Sequence, residues 1–152
     1  MYTFVLGLHS WLRWLALIAG VMATFVAFSD RSESGRQRRT EMWGLVFMML
    51  LDVQLLLGLL LYFVLSPFTR EAMNDFGAAM RSAGLRFFAV EHVTLMLGAV
   101  LLAHVGRMLA RKSVTNQSKR SRLFFCFALA TVLMLIGIPW PGMPAGRPLF
   151  RL

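Results

Sequence analysis

Residues 42–65, MWGLVFMMLLDVQLLLGLLLYFVL, decide the fold. As an α-helix rising 1.5 Å per residue this segment is about 36 Å long, enough to cross a hydrocarbon core about 30 Å thick. Asp52 and Gln54 stand near its middle, and Ser66-Pro67 ends it, since proline disfavours helix at the residue before it. A chain that carries such a segment is expected in a lipid bilayer rather than in water.

Working outward, three more apolar runs have comparable character: residues 2–28, 85–110 and 123–138. The whole chain is 58% hydrophobic and only 15% charged, against about 45–50% and about 25% in a soluble domain. The fold class is therefore an all-α integral membrane protein, a single four-transmembrane-helix bundle over residues 1–152. Between the second and third spans, Phe68, Met73, Phe76 and Met80 recur at three- and four-residue spacing, which predicts an amphipathic interfacial helix over 67–82. The fourth span is short and uncharged, with Arg120 and Arg122 placed to snorkel at its start. The first run is not read as a cleaved signal peptide, because nothing basic precedes it while arginines follow it.

The 16 lysines and arginines against 7 acids give a net charge of +9. They sit in loops beside apolar runs, so anionic lipid is the expected partner and nucleic acid is not. Loop one holds Arg31, Arg36, Arg38 and Arg39, and loop three holds Arg107, Arg111, Lys112, Lys119, Arg120 and Arg122. Loop two has Arg70, Arg81 and Arg86, and the tail has Arg147 and Arg151. The positive-inside rule then places loops one and three in the cytoplasm and both termini outside, with Trp11, Tyr62 and Trp140 as interfacial anchors on the outer side.

Ionisable groups at membrane depth are costly and point to function, which singles out His9, Arg13, Asp52, Glu91, His92 and His104. His9 lies roughly 10 Å below the outer end of the first helix and His92 roughly 10 Å below that of the third, so two imidazoles share one level. Two histidines on facing helices can supply both axial ligands of a b-type haem. No CxxCH attachment motif is present, so such a haem is non-covalent. Along the first helix His9, Arg13, Ala16, Gly20 and Thr24 share a face, and along the third His92, Met96, Ala99 and Ala103 do. These faces suit a porphyrin with Arg13 at a propionate, and they equally suit a tight helix pair in which the histidines bond a neighbouring helix. Arg13 is also at a depth to pair with Asp52. His104, roughly 18 Å beyond His92, has no histidine partner at its depth and reads as interhelical glue near the cytoplasmic edge. Glu91 is placed to pair with an arginine, to orient a ligand or to take a proton from a quinol. The single Cys126 excludes an internal disulfide, and the scattered methionines read as core filler rather than a copper path.

The motifs LHSWLRW, DVQLLLGLLLYF, RFFAVEH and GIPWP…RPLFR together resemble a family of small four-helix bacterial membrane proteins labelled cytochrome b or cytochrome b-like. The resemblance covers nearly the whole chain and implies a bacterial inner-membrane, electron-transfer or respiratory-complex context, with His9 and His92 matching the family's histidine motifs. Relatives in that family often carry histidine where this chain has Asp52, a departure that puts in doubt any haem site relying on the second helix.

The expected function is electron transfer through haem b held by His9 and His92 near the outer leaflet, within a respiratory or quinone-linked complex. The alternative is a non-catalytic structural or assembly subunit without a cofactor, docking through loop two and the tail, with Arg13, Asp52 and Glu91 in buried ion pairs. A small transporter is weaker, as no inverted repeat or broken-helix pair is present. No nucleophile with a base, nor any metal set with an open position, marks a stand-alone enzyme.

Overall fold

A bilayer leaves backbone polar groups no water to bond, so each apolar run folds into a helix that satisfies them internally. The computed structural model describes residues 1–29 and 35–149, with the side chains of 35–37 left aside. Arg31, Arg36 and Arg151, which contribute to the expected charge asymmetry, fall outside the described side chains.

Four helices are long and apolar enough to span a membrane: Tyr2–Ser29, Arg38–Leu65, Ala83–Arg111 and Asn116–Gly137. In chain order the elements are α1 (Tyr2–Ser29), α2 (Gly35–Leu60) running into a π-helical turn at Leu61–Leu65, α3 (Pro67–Asn74) and α4 (Phe76–Arg81). Then come α5 (Ala83–Arg86) with a second π-helical turn at Phe87–Glu91, α6 (His92–Arg111) and α7 (Asn116–Gly137). Each long helix packs on two others, in the cyclic order α1, α2, α6, α7, and α2 with α6 is the least closely packed of these pairs.

Small residues let the backbones approach. Ala16, Ala19, Ala23 and Ala27 are buried along α1, and Ala99, Ala103 and Ala110 along α6. A Cβ on Gly20 would lie 2.7 Å from Thr131 Oγ1 and 2.8 Å from the Phe47 ring, so α1 needs glycine where it meets α2 and α7 together. Below the crevice described next, these small-residue faces are therefore helix–helix contacts, the arrangement typical of membrane bundles. Phe47 and Phe127, both fully buried, meet edge to face at 5.7 Å, an arrangement worth about 0.5–1.5 kcal/mol beyond burial.

The segment expected as one helix over 67–82 is two. Ser66 Oγ caps α3 through the Thr69 amide at 3.4 Å, with Pro67 at the first helical position. Asp75 then leaves the helical conformation and its Oδ1 accepts from the Ala78 amide at 2.8 Å, starting α4. An aspartate is a better N-cap than helix interior because its side chain competes for backbone amides. Ala72, Ala79 and Ala89 bury the underside together with Met80, while Met73 and Phe76 remain exposed.

The fourth span also begins earlier than residue 123. Thr115 caps α7 at the Ser118 amide, and the basic side chains within its first turns bond neighbouring helix ends: Arg120 donates to the Ala27 and Phe28 carbonyls and Arg122 Nη1 to the Leu109 carbonyl at 2.8 Å. Cations complement the negative C-terminal ends of α1 and α6, which explains why they sit there rather than pointing away. Lys119 pairs with Glu41 at the same end.

Candidate haem site

One crevice opens among all four long helices at the end of the bundle that holds the chain's first residue, the α2–α3 junction and the tail. His9, Arg13, Gln54, Tyr62, Phe88, His92, Met96 and Arg147 are among the residues lining it. The two histidines that the sequence placed at one level face each other there: their ring centroids are 6.3 Å apart and their planes are inclined by 69°.

Each imidazole is positioned by backbone. His92 follows the π turn at Phe87–Glu91, its amide donating to the Phe87 carbonyl five residues back. Its Nδ1 lies 2.7 Å from the Gly137 carbonyl where α7 ends. A carbonyl only accepts, so Nδ1 carries the proton and Nε2 of the neutral ring keeps its lone pair. That is the tautomer a ligating histidine has when a carbonyl orients it. His9 is held through its own carbonyl, which accepts from Gln54 Nε2 at 2.8 Å. Among the described residues its buried Nδ1 and the Gln54 Oε1 have no hydrogen-bond partner, a costly state for buried polar atoms.

The two π turns lie side by side. Ser66 N–H donates to the Leu61 carbonyl at 2.8 Å in the first, and Tyr62 Oη donates to the Ala89 carbonyl of the second at 2.8 Å. Thr69 Oγ1 ties back to the Tyr62 carbonyl at 2.7 Å. Such turns reset which side chains a helix points inward, and they concentrate at functional sites. Tyr62, expected as an interfacial anchor, is thus bonded inward.

The tail closes over this end. After Ile138, Pro139 and a turn at Gly142, whose φ of +91° disfavours any residue with a Cβ, the chain returns so that the Leu149 carbonyl accepts from Arg13 Nη2 at 2.9 Å and from Trp14 Nε1 at 3.2 Å. Arg147 lies over Phe68 at 4.5 Å and Phe88 at 5.3 Å. Two guanidinium groups, Arg13 and Arg147, therefore flank the histidine pair.

The other candidates lie elsewhere. Asp52 meets His104 at 3.5 Å, rather than Arg13, and the pair is more than two-fifths exposed. Glu91 pairs with Arg86 at 2.7 Å on the surface. Arg147, Tyr62, Gln54 and the Gly137 carbonyl are the site components that depth counting did not select. Of these Gln54, an amide at membrane depth, carried a signal.

With metal–imidazole bonds of about 2 Å, an ion between two imidazoles holds their centroids about 6 Å apart, which the observed 6.3 Å satisfies. Among the described residues no group of three or more His, Cys, Asp or Glu could hold a bare metal ion. Two imidazoles are a complete protein contribution when a macrocycle brings the remaining ligands. Two imidazoles are thus donors of the type that a haem would use. The crevice encloses a void of about 140 Å³, close to the roughly 150 Å³ apolar cavity that accepts benzene. A porphyrin is larger than that void, so binding one would require the crevice walls to part. Compared with known proteins, the chain matches no protein-family model, no curated sequence and no solved structure.

Proposed function

We propose that this multi-pass membrane protein binds a b-type haem between His9 and His92 and serves electron transfer, as a subunit exchanging electrons with quinone or a periplasmic carrier in a bacterial inner membrane. The observation that carries the proposal is the facing pair of imidazoles, 6.3 Å apart in an apolar crevice. Haem iron, when bound, supplies the one-electron chemistry.

The chain's own residues divide the remaining work. His9 and His92 would hold the haem through ring nitrogens, and the Gly137 carbonyl fixes the His92 tautomer. Gln54 anchors the backbone beneath His9. Arg13 and Arg147 would supply positive charge for a haem's propionates, and Leu55, Val93 and Met96 wall the crevice against water. The basic residues at the far end support a topology with both termini outside and the crevice near the outer leaflet. The family resemblance of the LHSWLRW and RFFAVEH motifs points the same way.

Haem titration of the detergent-purified full chain tests the proposal. Saturable uptake of one haem per chain, with a low-spin spectrum, is expected. Uptake that never saturates, or a high-spin spectrum at saturation, would overturn it.

A further inference from the structure

Asp52 and His104 take no part in the crevice. His104 Nε2 lies 3.5 Å from Asp52 Oδ1, yet the side chains are 44% and 42% exposed. Asp52 stands ten residues from the start of the run at 42 and thirteen from its end at Leu65, hence about 15 Å and 20 Å from either end and within the hydrocarbon. Lipid tails offer such groups nothing, and ionisable side chains at this depth face protein or water.

The residues around the pair repeat one pattern on both helices. On α2, Leu45, Met49 and Leu56 sit seven and three residues before Asp52 and four after it; on α6, Leu97, Leu101 and Met108 hold the same offsets from His104. All six are exposed. Offsets of three, four and seven place each set on one helix face, the spacing of a helix–helix seam. The contact between Asp52 and His104 puts both seams on the same side of the bundle at the same depth.

The geometry points to this α2–α6 face as the interface of a two-fold symmetric homodimer, in which Asp52 of each copy meets the partner's His104. A two-fold axis along the membrane normal sets α2 of one copy opposite α6 of the other without changing depth, so the acid faces the base twice. An unrelated subunit would need its own acid and base at matching depth, whereas a second copy brings them by symmetry. This inference is independent of haem binding.

The test uses the full chain, labelled in two batches with donor and acceptor fluorophores and reconstituted into phosphatidylcholine vesicles over a range of protein-to-lipid ratios. Wild type is expected to show saturable energy transfer. Asp52→His alone and His104→Asp alone set like groups opposite each other, and each should raise the midpoint about tenfold, as two polar contacts are lost. Mixing the two variants should restore the wild-type midpoint. Each variant chain still holds two like groups of its own, so recovery on mixing reports pairing between chains. Leu101→Trp, which adds bulk at the seam without touching charge, should weaken transfer similarly if the charge variants lose helix content by circular dichroism. Transfer no greater than random proximity for wild type, or variants with unchanged midpoints, or mixtures of folded variants that fail to recover, would overturn the inference.

Discussion

Gly137 offers His92 only a carbonyl, yet that oxygen determines which nitrogen of the ring is free. The histidines themselves were legible in the sequence, because helical rise converts residue number into depth and both fall near 10 Å. Their supports were not, since a backbone carbonyl has no residue-type signature and its position follows from where α7 ends. Tyr62 shows the same limit: its aromatic ring suits the interface, and only the π turns reveal that its hydroxyl reaches the Ala89 carbonyl. Tyr62→Phe removes that bond, so it should cost about 1 kcal/mol. Denaturant unfolding in detergent checks this, and an unchanged midpoint would show that the bond contributes nothing.

At the scale of elements, the four spans could be read from the length of their apolar runs, while their ends could not. The start of α7 at Asn116 depends on Thr115 as a cap and on arginines that bond the ends of α1 and α6, so a polar first turn is helical although it is not apolar. Periodicity likewise joined 67–82 into one helix, because a 3.6-residue pattern does not register a cap. Asp75 is where it breaks. Asp75→Ala removes the side chain that accepts from Ala78 and should cost about 1 kcal/mol locally. Hydrogen exchange at the amides of 78–81 should quicken severalfold while α6 amides keep their rate. Uniform quickening throughout the bundle would contradict a local role.

For the whole molecule, the cyclic packing of α1, α2, α6 and α7 puts the beginning of the chain, α3–α4 and residues 138–149 at one end, and the end of α1 and the α6–α7 turn at the other. The proposed sidedness rests on the charge asymmetry of the two ends. In a Cys126→Ser background, Val114→Cys at the fully exposed turn before α7 should react with a membrane-impermeant maleimide only after cells are permeabilised. Asn74→Cys at the end of α3 should react in intact cells. The reverse pattern would invert the topology and move the crevice to the cytoplasmic leaflet.

The central claim, that His9 and His92 jointly hold a redox-active haem, is tested most directly by a dithionite-reduced minus oxidised absorption spectrum. Wild type would be compared with His9→Ala and His92→Ala chains recovered from the membrane at equal yield. The account predicts a b-type α-band in wild type that is lost in both variants. A featureless wild-type spectrum from cells supplied with haem, or a band that survives either substitution unchanged, would contradict it.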